Sequence, residues 1–178
     1  DVANAVMDGV DTVMLSGETS VGLFPVETIE SMHKIIQQTE AKRYKYNRGL
    51  PPKAGSVRFI RDNICYSASI MAERVGAKAI ITFTDKGNTA KTISGYRPKA
   101  DIYAITKRKE LMSALSLLWG VRAFYIDEIE SIDQAIELSI KILKAKGRIK
   151  SGDYVIHVAS TPMHLTHKTN MLKVSQVD

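Results

Sequence analysis

Residues 78–106, KAIITFTDKGNTAKTISGYRPKADIYAIT, decide the fold. Lys78–Thr84 is an apolar run of strand length, rich in β-branched residues. Asp85, Lys86 and Gly87 break it, and Asn88 and Thr89 are residues that cap a helix start. Asn88–Tyr96 then reads as a short helix, ended by Arg97-Pro98 because proline cannot continue it. Asp101–Thr106, DIYAIT, is a second strand. Strand, helix and strand in this order predict two parallel neighbours joined by a crossover helix.

The same alternation continues on both sides. Upstream, Ile60, Ile64, Ala68, Met71 and Val75 recur at near four-residue spacing and predict a helix over Ser56–Val75. Downstream come a helix over Glu110–Leu118, a strand over Val121–Ile126 and an amphipathic helix over Ser131–Lys146, stopped by Gly147. Tyr154–Ala159 is a further strand. Met171–Val177 is the last, reached by a loop too short for a helix and therefore expected to run antiparallel. Residues 56–178 are thus expected to form a three-layer α/β domain with a mostly parallel sheet of about five strands.

The first part reads differently. Val2, Ala5, Val6 and Met7 have helical spacing, and Gly9 stops that helix. Val10–Leu15 is consistent with a buried parallel strand, followed by a polar turn at Ser16, Gly17, Glu18 and Thr19. Pro25 suits the first turn of a new helix carrying Val26, Ile29, Met32, His33 and Ile36, running to about Tyr44. Asn47–Gly55, NRGLPPKAG, has the prolines and glycines of a linker. One strand and two helices cannot close a barrel or make a sheet. With no initiator methionine and a start inside a helical pattern, residues 1–46 are expected to be the end of something larger.

Composition narrows the function classes. The 178 residues are 44% hydrophobic and 25% charged, as in ordinary globular proteins. No apolar run approaches the ~20 residues of a membrane span. A single cysteine, Cys65, excludes an internal disulfide, fits a reducing cytoplasmic setting, and reads as a buried small residue rather than a reactive thiol. The net charge of +6 is unevenly spread. Residues 1–33 carry six acids and no lysine or arginine, whereas Lys34–Arg61 carries eight cations. Nucleic-acid binding is one reading of that basic stretch, but no recognised motif frames it, and a solvated helix end with a linker accounts for it better.

Two loops are candidate sites. In Thr84–Thr89, Gly87 permits close backbone approach, Asn88 and Thr89 present a helix N-terminus, and Lys86 adds charge, a combination suited to phosphate. On spacing alone an ordinary capped helix looks the same. In Ser160–Thr169, STPMHLTHKT, the side chains of Ser160, Thr161, His164, His167 and Lys168 can contact an anion. His164 and His167 are close enough to share an ion, but no third ligand is evident. His33 reads as a helix-surface or packing residue, and Trp119 as core or interface packing.

Taken together, these stretches resemble the pyruvate kinases. DVANAVMDG followed by VDTVMLSGET is similar to a long motif at the end of that family's (β/α)8 barrel. The strand followed by TDKGNTAKTISGYRPKADIYAIT, and the closing GDYVIHVAS and KTNMLKV, resemble its C-terminal regulatory domain. The resemblance implies phosphoryl transfer from phosphoenolpyruvate to ADP, with Mg2+ and usually K+, in a cytoplasmic homotetramer of which this domain supplies an interface. It places Ser16 and Glu18 at the edge of the substrate pocket. The family's metal-binding acids, catalytic lysine and K+ ligands belong to barrel strands without counterparts here. The chain is therefore expected to be a C-terminal fragment, inactive alone and needing no metal. A lysine that the family often has two residues after the threonine of SGET is Val21 here. In the regulatory domain, Thr84, Gly87 and Thr89 keep the phosphate-loop pattern, but Asp85 and Asn88 replace frequent cations, and PMHLTHK lacks the usual glycines. Fructose 1,6-bisphosphate is expected to bind poorly, leaving AMP or a sugar monophosphate. A free-standing phosphate-ligand or scaffold module is the alternative. No membrane or nucleic-acid partner is expected.

Overall fold

The computed structural model describes residues 1–43, 49–127, 129–162 and 168–178. The expected helix end near Tyr44, the linker's first residues Asn47 and Arg48, and His164 and His167 lie outside them. The chain divides into two compact units, Asp1–Lys45 and Tyr46–Asp178.

The first unit holds α1 (Val2–Asp8), α2 (Gly17–Ser20) and α3 (Pro25–Arg43), with α1 and α2 both packed on α3. Gly9 ends α1 in a left-handed conformation (φ 88°), its N–H donating to Ala5 O and Val6 O, the termination glycine makes easily. Pro25 stands at the first position of α3, where a missing N–H costs nothing. The strand expected at Val10–Leu15 is absent: the segment pairs with no ladder. A strand needs neighbours for its N–H and C=O groups, and no described residue of this unit provides one. Met14 is accordingly 89% exposed, as are Leu23 at 88% and Phe24 at 64%. The expected polar turn is itself one turn of helix, α2.

The second unit holds α4 (Phe59–Val75), β1 (Ala79–Phe83), α5 (Asn88–Gly95), β2 (Asp101–Thr106), α6 (Lys109–Leu115), β3 (Val121–Tyr125), α7 (Ile132–Ala145), β4 (Tyr154–Ala159) and β5 (Met171–Gln176). The strands form one sheet in the order β3-β2-β1-β4-β5. The first four are parallel and β5 is antiparallel to β4, as the short last connection requires.

Alternate side chains of each strand enter two cores. On one face Ile80, Ile102 and Ile156 meet Cys65, Ala68 and Ala72 of α4, Ala90 and Ile93 of α5, and Leu115 of α6. On the other, Ile81, Tyr103, Ile105 and Val155 meet Leu143 and Ile140 of α7. Each fully buried isoleucine contributes about 1.5–3 kcal/mol of transfer free energy. Cys65 is wholly buried, and burial pushes its thiol pKa up to about 12. Trp119, expected to pack, lies under the guanidinium of Arg97 at 5.1 Å.

The strand order positions the site. From β1 the chain moves outward to β2 and β3, then returns by α7 to place β4 on the other side of β1. Successive connections therefore leave in opposite directions above the carboxyl ends of β1 and β4. In open α/β sheets that divergence opens a crevice for ligands.

Candidate functional site

A pocket of about 450 Å3 occupies this crevice. The end of β1 and its loop supply Phe83, Thr84, Asp85, Lys86, Asn88 and Thr89. The end of β4 and the loop before β5 supply Ala159, Ser160 and Thr169, and β2 supplies Ile105, Thr106 and Lys107. Ile129, Glu130 and Ile132 close it from the start of α7, and Arg61 reaches it from α4. The volume falls in the ~300–1,000 Å3 range of small-molecule sites.

The β1 loop is held from within. Gly87 adopts φ 78°, and its N–H donates to Thr84 Oγ1 at 2.9 Å. A Cβ at position 87 would stand 3.2 Å from Leu115 Cδ2 and 3.3 Å from Leu111 Cδ1. Glycine thus answers both the left-handed backbone and the close approach of α6. No side chain caps α5, so its first amides stay available to an acceptor. Thr89 and Thr169, both buried, join the two loops through a 3.0 Å hydroxyl–hydroxyl bond. Asn170 fastens the base of the β4–β5 loop: it accepts from Thr161 N–H and donates to Thr161 O, both at 2.8 Å.

Of the residues expected at a phosphate site, Thr84, Lys86, Asn88, Thr89 and Ser160 line the pocket. Gly87 shapes the loop without lining it. Thr161 is engaged by Asn170, and Lys168 is exposed; neither is a lining residue. Arg61 was missed. In the sequence it is one more cation in a basic stretch, and only the packing of α4 beside β1 brings it to the crevice. Its guanidinium is held by Asp62 Oδ1, at 2.9 Å from Nε and 2.7 Å from Nη2. Ile129, Glu130 and Ile132 were missed as well, since they arrive from a connection some 45 residues away in sequence. Lys107 donates from Nζ to Ile129 O at 3.2 Å, tying β2 to that connection. Three cations (Arg61, Lys86, Lys107) face two carboxylates (Asp85, Glu130) in the lining. This modest positive excess suits one anionic group better than two.

Ser16 and Glu18 lie in the first unit, at the start of α2. Ser16 N–H donates to Glu18 Oε2 at 2.9 Å. Hydrogen bonds from the backbone of Glu18 and Ser16 hold that carboxyl below the usual carboxylate range. Among the described residues, no group of three or more His, Cys, Asp or Glu is placed to hold a metal ion. Nor is any described helix long and apolar enough to cross a membrane.

Comparison with known proteins gives the following. The model of the pyruvate kinase alpha/beta domain matches residues 62–175, and that of the pyruvate kinase barrel domain matches residues 1–29. A pyruvate kinase of Clostridium acetobutylicum is 37% identical over 179 residues, covering 100% of this chain and 38% of that protein. One from Staphylococcus aureus is 38% identical over 178 residues, covering 99% of this chain and 30% of that protein. Two crystal structures of Cryptosporidium parvum pyruvate kinase superpose with TM-scores of 0.85 and 0.81 at 33% and 32% identity. They cover 99% and 100% of this chain, and this chain covers 35% of each. It thus spans about a third of the length of these relatives.

Proposed function

This chain belongs to the pyruvate kinase family, and from that premise we propose that it works as the ligand-binding and assembly portion of an enzyme that moves a phosphoryl group from phosphoenolpyruvate to ADP. The observation that carries this is the order of the two matches: barrel sequence at residues 1–29, then the alpha/beta domain at residues 62–175. In this reading Ser16 and Glu18 are one wall of a substrate pocket whose remaining walls come from other barrel strands. Mg2+ and K+ serve the chemistry in the whole enzyme. Cytoplasmic work fits the single, buried thiol.

The second unit then binds an effector that carries one phosphate. Its phosphate sits at Thr84–Thr89, against the uncapped start of α5 and near Arg61 and Lys86. Asp85 weakens a second anionic contact, which supports weak binding of fructose 1,6-bisphosphate. The edge strand β5, with Lys173, Val174 and Gln176 exposed, supplies an unpaired ladder for a second copy across a twofold axis of a homotetramer.

Two measurements on the purified 178-residue chain test this. A coupled assay of pyruvate release is expected to read background; turnover above it refutes the assignment of catalysis to other segments. Calorimetric titration with ribose 5-phosphate and with fructose 1,6-bisphosphate is expected to favour the monophosphate. Tight binding of the bisphosphate, in the micromolar range, defeats the single-phosphate site.

A further inference from the structure

The sheet has two open edges. One is β5; the other is β3, which has no strand on its outer side among the described residues. Its register with β2 decides which of its backbone groups stay unpaired. Ile102 N–H donates to Gly120 O and Ile126 N–H to Thr106 O, so the parallel ladder takes up the N–H and C=O of Arg122 and Phe124. The N–H and C=O of Ala123 and Tyr125 point outward. So does the carbonyl of Val121, whose own N–H goes to Leu118 O at 3.3 Å. Such an outward row is a template for one more strand.

The side chains flanking this row carry charge unequally. On the α7 face, Lys146 Nζ stands 5.5 Å over the Phe124 ring, which packs on Tyr103 at 5.8 Å between centroids. Arg122 meets Asp101 at 3.1 Å, and Arg148 lies near enough to act electrostatically on the Tyr103 hydroxyl together with Arg122. Three exposed cations thus gather around one carboxylate, and that carboxylate is already shared between Arg122 and the Tyr103 hydroxyl. On the α6 face, Lys109 lies 4.8 Å over the Tyr125 ring, and Asp127 accepts from the same ring's hydroxyl at 2.7 Å, so one acid offsets one cation. The positive excess at the edge therefore sits on the α7 face.

We propose that β3 is a docking edge for an extended acidic peptide of another protein, which pairs with it as a sixth strand and carries Asp or Glu at alternate positions. Side chains of a strand alternate between faces, so these acids all fall on the α7 face beside Arg122, Lys146 and Arg148. The intervening residues lie by Ala123 and Tyr125, where the small alanine leaves the backbone approachable. A peptide backbone brings both donors and acceptors, as the outward row of β3 requires. Phosphates of a nucleic acid or a lipid surface bring acceptors only and would face the carbonyls of Val121, Ala123 and Tyr125. A second copy of β3 would bring the same cations to the same face, and like charges oppose that pairing.

Fluorescence anisotropy of labelled probes with the full chain tests this. The probes are a capped heptapeptide of alternating Glu and Val, its Lys-Val counterpart, two N-methylated forms of the acidic peptide (one methylated at the valines, one at the glutamates) and a short oligothymidylate. The acidic peptide is expected to bind about tenfold more tightly than the lysine peptide, as two or three exposed ion pairs allow. In either strand direction only one set of peptide amides faces β3, so one N-methylated form is expected to lose binding and the other to keep it. Reversing Lys146→Glu and Arg148→Glu together is expected to weaken the acidic peptide about tenfold, whereas Lys173→Glu on the opposite edge leaves it unchanged. Binding of both N-methylated forms as tightly as the parent overturns the strand pairing. Oligothymidylate binding as tightly as the acidic peptide reduces the edge to a polyanion patch and overturns the proposal, as does loss of the peptide in Lys173→Glu. Dimers of Lys173→Glu that dissociate on adding the acidic peptide would put a second copy on β3 and overturn the choice of occupant. Equal affinity for the lysine peptide, or binding of none of the probes, overturns it outright.

Discussion

His157 offers the sharpest quantitative test of the fold. It lies on β4 between Ile81 of β1 and Lys173 of β5, is wholly buried, and neither imidazole nitrogen has a hydrogen-bond partner among the described residues. Burial disfavours the charged imidazolium, and the Lys173 cation adds to this, so the pKa falls from 6.5 to about 4. The folded state therefore binds fewer protons than the unfolded chain between these values. Stability is then fully present above about pH 6.5 and is lost as pH falls toward about 4. A depression of that size corresponds to about 3 kcal/mol, most of it lost between roughly pH 7.5 and 4.5. Against the usual ~5–15 kcal/mol of a domain, that is a large fraction. The assay is urea denaturation at several pH values, followed through the fluorescence of Trp119, the single tryptophan, which reports on this unit. Carboxylates also titrate in the range, so the comparison is with His157→Leu. The variant's stability should fall less over the same interval, by about 2–3 kcal/mol, whatever its stability at neutral pH. Equal slopes for the two proteins, or a His157 titration midpoint near 6.5 by NMR, would refute the argument and mean that water reaches the imidazole.

Two further outcomes test other parts of the structure. Gly87→Ala should destabilise the second unit by about 1–2 kcal/mol, because the left-handed backbone and the Leu111 and Leu115 methyls both oppose a Cβ; unchanged urea midpoints would show that the loop relaxes freely. Cys65, its thiol pushed up to about 12 by burial, should resist iodoacetamide in the native protein and react promptly in urea, and rapid native alkylation would place it outside the core.

The α/β domain was legible in the sequence because its central strands β1, β2 and β4 are buried on both faces. Such strands read as continuous apolar runs, and Asp101–Thr106 and Tyr154–Ala159 keep their expected bounds to the residue. Helix ends were legible where a backbone requirement names the residue, as at Gly9 and Pro25. Elsewhere they moved by up to three residues: the helix expected from Ser56 begins at Phe59, and the one expected to end at Leu118 ends at Leu115. Final turns depend on packing that the pattern does not encode. Val10–Leu15 failed for a different reason. Its apolar run carries the information for a strand, but a strand is a relation between segments, and no described neighbour in its unit completes the ladder.

The candidate site splits along the same line. The end proposed for a phosphate is written locally, since a glycine with positive φ, a threonine hydroxyl and a helix start must sit within six consecutive residues to form a cradle at all. Its apolar end is written nowhere in particular. Ile105, Ile129 and Ile132 are indistinguishable in sequence from core residues, and become a wall only because the chain reverses direction at β1. Arg61 belongs to this second kind: a cation in a basic stretch until α4 lies beside β1. A loop motif can therefore announce that a phosphate is held, whereas the identity of what the phosphate is attached to is set by topology.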